Sequence, residues 1–246
     1  MAEWSDPRVT QTGAGVTIDG KPIASAAVDA GLRAHMLKVY NYMASGVLLT
    51  GIVALIFQDT LLANNIAAGG ALFWLVLFAP LGVAMAMGAG FNRFSQTTLQ
   101  ALFWGYAALM GLWFSAILMR FTGESVAQTF FVTAVAFLSL SLWGYTTKKD
   151  LTGWGSFFIM GAFGLMLALI VNMFLQSPTM HYVISAIGVL VFAGLTAYDT
   201  QRIKSEYVYF AGHESIGKLA VMGAFSLYLD FVNMFQFLLS FLGNRE

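Results

Sequence analysis

Seven long apolar runs divide this chain, at about 39–57, 70–89, 99–119, 125–145, 154–175, 180–198 and 219–242. About 20 apolar residues cross a hydrocarbon core of roughly 30 Å as a helix, and these runs have that length. They are continuous rather than alternating, which separates helices from the strands of a closed barrel. The pattern predicts an all-α integral membrane protein, a seven-transmembrane-helix bundle over residues 39–243. Residues 1–38 are polar, with Glu3, Asp6, Arg8, Asp19, Lys21, Asp29 and Arg33 spread among them. A secretory signal places a short apolar run behind a basic start, and this segment does not. It reads as a mobile cytoplasmic N-terminal tail, rich in Gly, Thr, Ser and Ala up to about Ala30, with the first span serving as an uncleaved signal-anchor.

Local signals fit the spans. Ser125-x-x-Gln128 has the capping-box spacing at the start of the fourth span. Ser177-Pro178 opens the sixth, with Pro in a first-turn position where its missing N–H costs nothing. Trp143, Tyr145 and Trp154 bracket the Lys148-Lys149 loop as headgroup-level aromatics do. Gly82, Ala86 and Gly90 form a small-residue face on the second span that predicts close helix contact.

Composition agrees with the pattern. Of 246 residues, 59% are hydrophobic and 10% charged, against about 25% charged in soluble domains. A net charge of zero argues against nucleic-acid binding, which needs a basic face. The absence of cysteine excludes disulfides, thiolate metal sites and Cys nucleophiles. Ten of the twelve Lys and Arg residues fall on one side of the predicted bundle: Arg8, Lys21, Arg33, Lys38, Arg93, Lys148, Lys149, Arg202, Lys204 and Lys218. Arg120 and Arg245 fall on the other. The positive-inside rule then puts the N-terminus in the cytoplasm, and seven full spans put the C-terminus outside. A re-entrant last segment returns it to the cytoplasm.

Candidate chemistry sits in the last two spans. Asp230 is the only charged residue between Leu219 and Leu242. A carboxylate at mid-membrane costs about 2.5–3.5 kcal/mol on insertion scales, so it faces a partner or a water-filled cavity. Asn233 and Gln236 extend the same face as a polar stripe. The plainer alternative for all three is interhelical hydrogen-bond glue, and it weighs least on Asp230, since an amide would serve as glue without the ionisation penalty. Asp199, in Ala197-Tyr198-Asp199-Thr200-Gln201-Arg202, closes the sixth span, where the alternative is an interfacial carboxylate paired with Arg202 or Lys204. The two aspartates lie at different apparent depths. They meet only if the sixth helix continues past Asp199, or if the seventh is tilted or starts outside the hydrocarbon. Two carboxylates in one low-dielectric site share a proton and titrate as a unit, a pH sensor without histidine. His35, His181 and His213 read as interfacial. No pair of histidines has metal-binding spacing, and no GxSxG, P-loop or dinucleotide fingerprint is present.

Seven spans, with AYDTQ closing the sixth and SLYLDFVNMF inside the seventh, resemble the Bax inhibitor-1 family (transmembrane Bax inhibitor motif proteins) from about Val39 to Gly243. The resemblance implies a bundle around a central seventh helix and a pH-dependent calcium leak, gated by a di-aspartyl unit matching Asp199 and Asp230. It implies no enzyme activity and no cofactor. Calcium is the permeating ion, held weakly and transiently at the two aspartates. In the family a basic residue at the cytoplasmic end of the second helix latches one aspartate, a role matched by Arg93 in Phe91-Asn92-Arg93-Phe94. Some members carry an acidic residue within the second helix, and this chain has none between Ala71 and Gly90. The implied partners are the lipid bilayer, calcium or other cations and, as in some bacterial relatives, a membrane-anchored AAA protease. The implied place is a bacterial cytoplasmic (inner) membrane.

Two other functions compete. A non-enzymatic regulator binds a membrane protease or a cell-death partner and uses the aspartates to set conformation only. An intramembrane aspartyl protease needs Gly-x-Gly-Asp and a later Pro-Ala-Leu. Here Leu227-Tyr228-Leu229-Asp230 replaces the first, and no proline follows Pro178.

Overall fold

The computed structural model describes residues 9–12, 15–18, 21–23 and 25–244, with side chains from residue 29 onward. Arg8 and Arg245, two of the cations in the orientation count, lie outside the described residues, as does much of the expected tail. Where the sequence predicts only a polar extension, β1 (Val9–Thr12), β2 (Gly15–Ile18) and β3 (Lys21–Ile23) form an antiparallel meander in the order β1-β2-β3. Val, Ile and Thr supply strand preference there, and Asp19-Gly20, a hairpin-turn sequence, separates β2 from β3.

Eight helices follow: α1 (Ser25–Phe57), the short α2 (Leu61–Ala67), α3 (Ala71–Gly90), α4 (Gln96–Leu118), α5 (Gly123–Thr146), α6 (Thr152–Leu175), α7 (Pro178–Phe210) and α8 (Ile216–Leu242). Among the described residues, seven are long and apolar enough to cross a membrane: α1 and α3 to α8. The seven expected spans are thus present, and α8 is one continuous helix of 27 residues, about 40 Å at 1.5 Å per residue. Its place in the bundle is central, packed against α7, α1, α5 and α4. Its Tyr228, Leu227 and Met234 are wholly inside, and α8 contributes more of the main apolar core than any other helix. By contrast, α6 buries only Gly155 and Leu165 and turns Phe157, Met160, Phe163 and Leu167 outward, as a lipid-facing helix does.

Some boundaries differ from those the sequence predicts. Helix α1 starts at Ser25, since Ala, Leu and Lys carry the helix well before hydropathy rises. Helix α7 runs twelve residues past the expected end at 198, because no Gly or Pro interrupts it before Gly212. Helix α5 is capped by Thr122, whose hydroxyl accepts from Ser125 N–H, and not by Ser125. Ser125 Oγ instead accepts from Asn244 N–H, and Gln128 donates to Glu124. The Ser177 cap with Pro178 in the first turn of α7 forms as read, accepting from Met180 N–H.

The expected close contact at Gly82, Ala86 and Gly90 is not made. A Cβ on Gly82 meets nothing, and one on Gly90 meets the ring of Phe94, its near neighbour in sequence. The close backbone approach lies elsewhere: a Cβ on Gly144 of α5 would come 2.3 Å from Ala197 O of α7. That contact seats α5 against α7 two residues before Asp199.

Candidate functional site

The extension of α7 resolves the apparent depth difference. Asp199 lies eleven residues before the end of α7, and Asp230 fourteen residues after the start of α8. At 1.5 Å per residue these are about 16 Å and about 21 Å from the connecting turn, so the two lie within about 5 Å of the same level. Both are buried, Asp199 at 7% exposure and Asp230 at 4%.

Arg202 ties this region together. Its Nη1 lies 3.3 Å from Asp199 Oδ1 and its Nε 3.4 Å from Glu206 Oε1. Its Nη2 donates to Ser226 Oγ on α8 at 3.0 Å. Asp199, Arg202 and Glu206 recur three and four residues apart, so one face of α7 carries all three. Ser226 and Asp230, four apart, bring one stripe of α8 to the site. The guanidinium is therefore a clamp between two helices, with Tyr198 beneath it at 5.8 Å. Asp230 Oδ2 is buried and accepts no hydrogen bond among the described residues. A buried carboxylate oxygen without a donor is costly and leaves an acceptor for a proton or a cation.

Hydroxyl contacts surround the site. Thr200 donates to Thr196 O at 2.8 Å, which makes Ser141 the donor to Thr200 and Tyr40 the donor to Ser141. This chain joins α1 and α5 to α7 beside Asp199. Thr50 donates to Ala107 O, so Tyr228 OH is the donor to Thr50 at 2.6 Å, joining α8 to α1 and α4.

The other expected residues are placed as follows. Asn233 donates to Leu229 O of its own helix at 2.8 Å and is half-buried, as is Gln236. Arg93 is exposed in the turn after α3 and forms no ion pair among the described residues; Arg202 is the cation at Asp199. His35, expected at an interface, is buried with its ring 5.0 Å from that of Tyr207. His213 lies half-buried in the α7–α8 turn. No group of three or more His, Asp or Glu suited to a metal ion occurs among the described residues. A cavity of about 740 Å³ lies between α1, α4, α5 and α8, but neither aspartate lines it. Glu206 and Ser226 are not singled out by sequence, and Arg202 stands in it only as a helix-end counterion to Asp199. Their spacing on the two aspartate faces was the available signal.

The model of the family described as "Inhibitor of apoptosis-promoting Bax1" matches residues 32–246. An uncharacterised protein of Rickettsia prowazekii is 48% identical over 219 residues, 89% of this chain and 92% of the relative. One from Caulobacter vibrioides is 47% identical over 234 residues, 91% and 94% of the two chains. The inner membrane protein YbhL of Escherichia coli is 39% identical over 220 residues, 88% and 94%.

Proposed function

Because the chain belongs to the Bax inhibitor-1 family, we propose that this multi-pass protein is a pH-sensitive cation leak of a bacterial inner membrane, with calcium as the permeating ion. The observation that carries this reading is the buried Asp199–Arg202–Asp230 arrangement between α7 and α8, with Asp230 Oδ2 left without a donor. Structural glue alone would use amides, which carry no ionisation cost.

The clamp supplies a gate. With the one shared proton on the Asp230 side of the pair, Arg202 holds ionised Asp199 and Ser226 and the α7–α8 hairpin stays closed. Loss of that proton adds negative charge in a low-dielectric site, which draws in a cation and competes for the guanidinium. Flux therefore rises with pH. Calcium favours six to eight oxygen ligands. Asp199, Asp230, Glu206 and the Asn233 carbonyl, with backbone carbonyls and water, offer a loose set. Weak, transient binding of that kind suits passage. Arg93, with no acidic partner among the described residues, is available to the aspartates in another state.

Calcium entry into proteoliposomes at about pH 6, 7 and 8, for the parent, Asp199→Asn and Asp230→Asn, tests the reading. Support is a flux that rises with pH in the parent and loses that dependence in both variants. Flux absent from the parent, or indifferent to both substitutions, overturns it and moves the protein's role to binding other proteins.

A further inference from the structure

Helices α1 and α5 flank α8 on one side of the bundle without packing closely on each other. Part of the crevice between them is a cavity of about 440 Å³, walled by Leu37, Tyr40, Leu138 and Leu142 and closed at one end by Arg33 and Tyr145. The leucines are wide open, at 56% for Leu37 and 63% for Leu138 and Leu142. They belong to membrane-length helices, so the medium they face is hydrocarbon. Its inner wall is the Tyr40–Ser141 hydrogen bond, whose hydroxyls are already paired and ask nothing of a ligand.

The polar end is basic. Arg33 is exposed and has no ion-pair partner among the described residues. Lys204 donates to Tyr145 O at 2.9 Å with its ammonium 5.1 Å over the Tyr145 ring, which fixes a second cation at that end. Lys148 and Lys149, just past α5, add exposed positive charge, against Asp29 and Asp150. Apolar wall first and cations at the rim is the order of groups in an anionic phospholipid, read from chain to headgroup.

We infer that this crevice binds one anionic phospholipid of the bilayer, an acyl chain along Leu37, Leu138 and Leu142 and the phosphate at Arg33 and Lys204. The site stands apart from the ion-flux reading. A bound lipid would brace α1 against α5 over the hydroxyl chain that ends at Thr200, beside Asp199.

The test is native mass spectrometry of the full chain in detergent with added phosphatidylglycerol, phosphatidylcholine or glycerol 3-phosphate. The parent should retain one phosphatidylglycerol under conditions that strip phosphatidylcholine and leave glycerol 3-phosphate unbound. Arg33→Gln should weaken retention about fivefold, the worth of one basic residue at a lipid surface. Leu138→Trp, which fills the groove from its exposed wall, should abolish it, and Arg120→Gln at the opposite end should change nothing. Equal retention of the two lipids, retention unaffected by Arg33→Gln and Leu138→Trp, or binding of glycerol 3-phosphate as tight as the lipid overturns the inference.

Discussion

Arg202 on α7 donates to Ser226 on α8 at 3.0 Å while its other nitrogens face Asp199 and Glu206, so one side chain joins the last two helices to both carboxylates of its own face. Replacing it with Gln leaves Asp199 and Glu206 without a counter-charge. A fully buried pair loses about 3–5 kcal/mol on such a change, but the Arg202 side chain is 34% exposed and screened in part. The expected destabilisation of Arg202→Gln is about 1–2 kcal/mol, with Arg202→Lys intermediate because a point charge cannot fork between three partners. Thermal unfolding in detergent measures it. An unfolding midpoint equal to the parent's would mean that the clamp contributes nothing.

Asp230→Asn behaves differently. Asp230 Oδ2 has no donor among the described residues, so the amide loses no hydrogen bond there and removes a charge from a buried site. The variant should unfold no earlier than the parent at about pH 8. Paired melting curves at that pH check this; a variant that melts well below the parent would assign Asp230 a structural partner.

The seven spans were legible because a membrane helix must be apolar along its whole length, and hydropathy records that directly. The same measure hid the end of α7. Asp199, Arg202, Lys204 and Glu206 lower the hydropathy, yet Asp199, Thr200 and Ile203 are buried by the neighbouring helices. Protein burial, not lipid burial, shields that segment, and a one-dimensional window cannot see it. Asp230 was legible for the converse reason: an isolated carboxylate in a lipid-length run carries an ionisation cost that an amide would avoid. The Arg202–Asp199 pair was legible from the three-residue spacing, whereas the bond of Arg202 to Ser226 was not, because it depends on how α8 packs against α7. Gly82 and Gly90 misled because small-residue spacing permits close packing without requiring it.

The loop before α6 carries its own titration. Asp150 Oδ1 accepts from Thr152 N–H at 2.9 Å, and hydrogen bonds from Thr152 hold the Asp150 carboxyl below the ordinary 3.8. A depressed carboxyl contributes stability that is present above 3.8 and fades as pH falls through the lower folded value. Chemical-shift titration of Asp150 should therefore give a midpoint under the ordinary value in the parent and a return towards it in Thr152→Val. Equal midpoints in the two would remove the bond from solution.

Gly144→Ala should be among the more damaging small substitutions in the molecule. Its Cβ would lie 2.3 Å from Ala197 O and 2.9 Å from Ala197 Cα, both backbone atoms that cannot rotate aside. Relief requires α5 and α7 to separate, which strains the Ser141–Thr200 bond at 2.8 Å and shifts the segment that presents Asp199. Overpacking of this kind costs about 1–3 kcal/mol. Gly105→Ala on α4 is the matched control: its Cβ meets nothing within 4 Å, and Ala is the better helix former by about 1 kcal/mol. The two single-methyl changes should move the unfolding midpoint in opposite directions. If both raise it, α5 and α7 do not approach at Gly144 as closely as described, and the seat of Asp199 is set by other contacts.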